Sequence, residues 1–134
     1  MRQRASVIIL CEHQLLFIER YKGGNGPYYV LPGGGIEPGE EPLAAAHREL
    51  AEELGLSGLT LTPVLGSPTP YQEHPAGNWL FIGTLPAGAE PTWQEDHKQR
   101  PDNRYRVVWR HRSQLDGLDT RPQELRTILA ALPL

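Results

Sequence analysis

Leu31-Pro32-Gly33-Gly34-Gly35-Ile36-Glu37-Pro38-Gly39-Glu40-Glu41 runs directly into Pro42-Leu43-Ala44-Ala45-Ala46-His47-Arg48-Glu49-Leu50-Ala51-Glu52-Glu53-Leu54-Gly55-Leu56. The second half predicts a helix over residues 42–54. Pro42 suits the first turn, the three alanines are strong helix formers, and Gly55 is placed to end the helix in a left-handed cap. At about 100° per residue, Leu43, Ala46, His47, Leu50 and Leu54 share one stripe, expected to face a core. Glu49, Glu52 and Glu53, spaced i, i+3 and i+4, cluster on a different face. Arg48 stands four residues before Glu52 and is within pairing reach of it.

Acidic faces on helices are commonly just solvated, and two effects argue against that here. Glu49 and Glu53 are like charges at i, i+4, which costs a few tenths of a kcal/mol. All three acids also lie in the second half of the helix, where the macrodipole disfavours negative charge. A resident cation removes both penalties. Magnesium in particular takes oxygen ligands, keeps several waters, and binds through a few carboxylates plus substrate phosphates. The glycines that precede the helix permit close backbone approach to a ligand. They do not form a P-loop, because the Gly-Lys-Ser/Thr ending is absent. Nor do they fit G-x-G-x-x-G, since Pro38 follows Gly33 and Gly35 at the sixth position.

Working outward, Ala5–Cys11 and Leu15–Tyr21 are apolar, β-rich runs separated by Glu12-His13-Gln14, and they predict two strands joined by a tight turn. Residues 22–27 read as a glycine-rich loop, and Tyr28–Leu31 as a short strand halted by Pro32. Further strands are expected over Leu59–Leu65, Asn78–Leu85 and Tyr105–Arg110, with a closing helix over residues 122–132. Strands mixed with two helices predict an α/β fold, an α/β/α sandwich around a mixed central sheet, as one domain over residues 1–134. Two long loops, 66–77 and 86–103, are candidates for function.

The 134 residues carry 39% hydrophobic and 22% charged residues, in the range of soluble globular chains. A net charge of −3 supplies no general basic field toward nucleic acid or an anionic membrane. Cys11 is the sole cysteine, so no internal disulfide can form, and its apolar setting predicts a small core residue. No signal-peptide pattern and no run of about 20 apolar residues is present. A cytoplasmic protein, monomer or homodimer, is the expectation.

The residues quoted above also carry a resemblance. Gly34, five residues, Glu40, seven residues, Arg48-Glu49-Leu50, one residue, Glu52-Glu53, one residue, Gly55-Leu56 is similar to the complete Nudix box of the Nudix hydrolases. The flanking strands and closing helix are compatible with that family's fold, and the short length resembles its MutT-like members. The resemblance implies that Glu49, Glu52 and Glu53 hold magnesium, with manganese able to substitute, joined by the carbonyl of Gly33. It implies that Arg48 orients an acid, Glu52 or Glu40, and that Glu40 supports the junction between loop and helix. The implied reaction is attack of water on phosphorus in a nucleoside diphosphate linked to another moiety. Either Glu53 or Glu52 doubles as the base, or no separate base is needed.

Outside the box, Arg20 matches a place where some relatives hold phosphate. The loop 86–103 offers Glu90, Glu95 and Asp96 as an added acid, with Glu95 preferred. Trp93, Tyr28 and Tyr29 are candidates to stack on a base, although packing is the commoner use of such rings. His13, His47, His74, His97 and His111 show no metal-ligand spacing. Pro70 lies fourteen residues beyond Leu56, near the place where a proline marks ADP-ribose-cleaving relatives. The expected activity is that of a nucleotide pyrophosphohydrolase acting on nucleoside triphosphates or modified nucleotides. ADP-ribose or nucleotide sugars are the substrate alternative. A non-catalytic nucleotide-sensing module is the alternative in kind, and the intact set of acids speaks against it.

Overall fold

A computed structural model describes residues 2–64 and 77–132. Strands β1 (Arg4–Cys11) and β2 (Gln14–Lys22) form the first hairpin, β3 (Asn25–Val30) the next arm, and β4 (Gly33–Gly35) a short segment before helix α1 (Pro42–Leu54). Then follow β5 (Thr62–Pro63), β6 (Asn78–Thr84), β7 (Asn103–His111) and helix α2 (Glu124–Ala131). The strands build one seven-stranded sheet with the main order β3-β2-β1-β6-β5, while β7 pairs with β2 and β4 with β1. Among the described strands only β1 and β6 run parallel, Arg4 opposite Asn78 through Leu10 opposite Thr84, so the sheet is mixed as expected.

Alternation along the strands sorts side chains to the two faces. Ala5, Val7 and Ile9 of β1, with Leu16 and Ile18 of β2, pack against Ala45, Ala46, Leu50 and Leu54 of α1. Ile8, Leu15 and Phe17 point the other way, toward Leu125 and Leu129 of α2. Every residue from Ala5 to Ile9 and from Leu15 to Ile18 is buried, because helices cover both faces. Those two runs, apolar except for Ser6, are the sequence record of the α/β/α layering.

The sheet also splits. β1 and β2 pair only beside their turn, at Leu10–Leu15 and Cys11–Gln14. Beyond that, β2 takes β3 as neighbour and β1 takes β4. The chain crosses the gap at Leu31-Pro32, where the Pro32 carbonyl accepts the N–H of Val7 at 2.9 Å. The cleft described below opens along this split.

Four expectations need correction. Residues 22–27 are a two-residue turn, Gly23 (φ 59) and Gly24 (φ 81), and β3 resumes at Asn25. Paired positive φ values give the twist that a tight hairpin needs, and glycine adopts them without penalty. The Gly33–Gly35 turn is a strand pairing with β1, and it can come this close because it lacks side chains. A Cβ on Gly33 would strike the Ala5 carbonyl oxygen. The strand expected over 59–65 shrinks to Thr62–Pro63 within the described residues, as Pro63 has no N–H to extend a ladder. Leu43 is 44% exposed, while Ala45 and Glu53 are buried. The buried stripe of α1 is therefore turned toward its acidic edge. The loop 66–77 is described only at Gly77, and Pro70 and His74 lie outside the described residues.

Candidate functional site

Helix α1 starts with Pro42 in its first turn and stops at Gly55, whose φ of 67 turns the chain so that the Leu56 N–H reaches back to the Leu50 carbonyl. This fixes the phase of the helix against β4. Glu53 then points inward and its Oε1 accepts the Gly33 N–H at 2.8 Å. Glu49 lies one turn earlier, directly over Gly34, where any Cβ would collide with its carboxylate. The glycines thus serve as a slot for two carboxylates.

Arg48 ties the helix to the loop before it. Its Nε donates to Glu40 Oε2 at 2.9 Å and its Nη2 to Glu40 Oε1 at 3.0 Å, a two-pronged grip. Nη2 also donates to the Gly35 carbonyl at 2.9 Å, and Nη1 to Glu49 at 3.0 Å. Glu52 lies farther off, at 3.4 Å from Nη1, with its side chain 46% exposed. Of the two acids expected to pair with Arg48, Glu40 is the principal one. Glu49 is a partner that helix spacing concealed, because adjacent helical residues do not ordinarily face each other.

The electrostatics divide these acids. The Arg48 hydrogen bond holds the Glu40 carboxyl down at about 2, helped by the Glu37 N–H. Burial pushes Glu53 up to about 8, against the pull of the Gly33 hydrogen bond, with Glu49 and Glu95 adding repulsion. Burial raises Glu49 as well, and Glu52 reinforces this while Arg48 opposes it. Two carboxylates are thus desolvated without enough positive charge beside them.

Sequence reasoning missed Arg4 and Lys98. Burial works against the Arg4 charge, which Glu53 and Glu49 support. Only the pairing of β1 with β4 brings Arg4 to this place, and a run of glycines does not announce a strand. Lys98 Nζ bonds Glu95 Oε1 at 3.0 Å. Its own burial lowers its pKa, but Glu95 and Glu53 prevail and leave it raised. The loop that carries both residues is fastened at two points. Gln94 N–H donates to the Glu53 carbonyl at 2.8 Å, and the Gln99 amide bonds both the N–H and the carbonyl of Tyr105.

Together these groups line a cavity of about 300 Å³ containing Arg4, Arg20, Gly33, Glu49, Glu53 and Lys98. Arg20 Nη2 donates to Asn103 Oδ1 at 2.9 Å, and its guanidinium sits 3.9 Å from the Tyr105 ring centre. Trp93 is stacked on the same ring at 4.6 Å, and Tyr29 is buried with its hydroxyl on Glu19. Tyr29 is thereby withdrawn from the cavity, whereas Trp93 lines it beside Tyr105. Tyr28 lines the neighbouring cavity, with Arg121 4.6 Å from its ring centre.

Among the described residues no three acidic, histidine or cysteine side chains already stand together as a closed ligand set. The donors nevertheless suit a hard divalent ion. Glu49 and Glu53 are under-compensated oxygen donors in one cavity, and Glu52 is held only by its longer contact.

A fold of this kind, with box acids on its first helix, matches known proteins. The NUDIX domain family matches residues 1–132, and the chain belongs to that family. An RNA pyrophosphohydrolase from Agrobacterium fabrum is 40% identical over 67 residues, 45% of this chain and 39% of that protein. A putative 8-oxo-dGTP diphosphatase from Bacillus subtilis is 33% identical over 87 residues, 64% of this chain and 55% of that protein. The matches thus span about half or less of those relatives' lengths. An Ap4A hydrolase from C. elegans superposes with a TM-score of 0.71 at 17% identity, over 95% of this chain and 92% of that one, a likeness of fold.

Proposed function

We propose that this chain hydrolyses the diphosphate linkage of a nucleoside diphosphate joined to another moiety, using magnesium held by Glu49, Glu52, Glu53 and the Gly33 carbonyl. The observation that carries the reading is the pair of desolvated carboxylates, Glu49 and Glu53, seated against glycine backbone in a cavity that also holds Arg4, Arg20 and Lys98. Anionic phosphate oxygens and a divalent cation supply complementary charges to those two sets of groups.

Bound magnesium would polarise the phosphoryl oxygens, neutralise developing charge and acidify the attacking water. The chain's own groups do the rest. Gly33 N–H fixes one oxygen of Glu53 and leaves Oε2 outside that bond. Arg48 holds Glu49 in place and keeps Glu40 ionised at the head of the helix. Arg20 and Lys98 hold the phosphate that is not attacked. Glu52, the least restrained of the three acids, accepts the proton from water on its carboxylate. Glu95 acts at one remove, through its ion pair with Lys98 and its charge on Glu53.

The intact acids favour an enzyme over a nucleotide sensor. For the substrate, nucleoside triphosphates and modified nucleotides come first, in line with the activity named for the Bacillus subtilis relative. Hydrolysis of a panel of nucleoside triphosphates, modified nucleotides, ADP-ribose and nucleotide sugars with magnesium, read by ion-exchange chromatography, tests this. Cleavage of at least one diphosphate bond is expected. No cleavage of any member with magnesium or manganese overturns the hydrolase reading.

A further inference from the structure

The carboxylate cavity does not end at Arg20. A second cavity of about 400 Å³ shares Arg4, Arg20, Val30 and Leu31 with it and continues past Lys22 and Tyr28 to Arg121 and Pro122. Four cationic side chains line it and, among the described residues, no acid does. Arg121 is partly offset by Asp119, 3.1 Å away. The remaining charge is less well answered. Arg4 Nε and Arg20 Nε are both buried with no hydrogen-bond acceptor among the described residues. Buried N–H groups of guanidinium are normally satisfied, so two unmet donors on side chains that line both cavities mark places where an acceptor is missing.

Shape and charge also argue against an ordinary nucleobase pocket. Such pockets are mostly apolar, with a ring face available for stacking and a few polar groups. Here the Tyr28 ring is attended by Arg20 at 5.8 Å and by Arg121 at 4.6 Å. A base arriving there would have to displace a cation from the ring, whereas a phosphate would lie among the cations.

We infer that the second cavity binds a further phosphate monoester or diester on the moiety beyond the diphosphate, so that the preferred substrate is phosphorylated at both ends. Arg4 and Arg20 stand at the junction and reach either phosphate group, while Lys22 at the mouth meets only the outer one. This deepens the hydrolase reading by naming its substrate class, yet binding in this cavity does not depend on turnover.

The probe is adenosine 3′,5′-bisphosphate against adenosine 5′-monophosphate, titrated by calorimetry in metal-free buffer. The parent protein is expected to bind the bisphosphate at least tenfold more tightly, with the advantage shrinking as salt is added. Lys22→Gln, at an exposed position that the fold does not need, should lose most of that advantage, and Arg4→Gln all of it. Equal affinities for the two probes overturn the inference, as does an advantage that survives both substitutions. Inositol hexakisphosphate against inositol, measured alongside, tells whether the phosphate alone suffices or a nucleoside must accompany it. A bisphosphate preference without any hydrolysis on the substrate panel would sink the hydrolase reading and leave this one standing.

Discussion

Replacing Arg48 with lysine keeps the charge and removes the fork. The guanidinium spends three nitrogens on six contacts, two to the oxygens of Glu40, two longer ones to those of Glu52, and one each to Gly35 and Glu49. An ammonium is a single point with three donors, so it cannot hold both Glu40 oxygens in plane while also reaching Glu49. At least the second prong on Glu40 and the contact with the Gly35 carbonyl are lost. Both steady the strand and helix that carry Gly33, Glu49 and Glu53. Groups that orient a metal ligand in this way matter about 10- to 100-fold in affinity or activity. That corresponds to roughly 1.4–2.7 kcal/mol of transition-state stabilisation. Side-chain exposure of 27% at Arg48 keeps the effect on folding small, a few degrees in Tm. The assay is kcat/KM with magnesium, beside a thermal melt of the same preparation. Full activity in Arg48→Lys would reduce the residue to a surface ion pair and refute the reasoning.

Magnesium added to the apo protein should raise its Tm by mass action, by an increment equivalent to about 2.7 kcal/mol at a hundredfold excess over Kd, and EDTA should reverse it; a flat calorimetric response even with nucleotide present would remove the metal site. Glu53→Gln keeps the shape and the Gly33 hydrogen bond but not the ligand charge, so hydrolysis should fall about 10²-fold or more with little loss of fold, and parent-like rates would take Glu53 out of the site. In Gly34→Ala the new methyl group is driven into the Glu49 carboxylate, so the magnesium-induced rise in Tm should shrink markedly, as read by differential scanning calorimetry. An unchanged rise there would show that Glu49 is not a ligand.

The two layers of helix were legible because Leu15–Ile18 and, apart from Ser6, Ala5–Ile9 are apolar on both alternating faces, and only doubly covered strands need that. The extent of α1 was legible from Pro42 and Gly55, whose backbone preferences act locally. Its phase was not. Placing Leu43 inside and Glu53 outside follows from hydrophobicity alone, but the slot left by Gly33 and Gly34 accepts a carboxylate edge-on and turns the helix accordingly. Helix spacing likewise hid the grip of Arg48 on Glu40, which lies in the loop eight residues back, where no helical rule reaches. Arg4 and Lys98 come to the site only through a strand pairing and a docked loop. Both are long-range facts that leave no periodic trace in the chain.

The docking of residues 86–103 has a consequence for how this protein can change. Glu53 presents its carboxyl group to the cavity and its peptide carbonyl to Gln94, so one residue faces the cavity with one end and moors a loop with the other. A second mooring holds at Gln99. Between these two points lie Glu95 and Lys98. Ahead of them, Ala87 to Glu90 lines a separate cavity beside Cys11 and Trp109. The loop therefore behaves as an exchangeable cassette with a constant clasp: its leading stretch is open to insertion and drift, whereas the span from Gln94 to Gln99 can be rewritten as a unit. New side chains grafted between the moorings would stand beside the carboxylate cavity, as Lys98 does, which makes this short span the natural place to retune the protein.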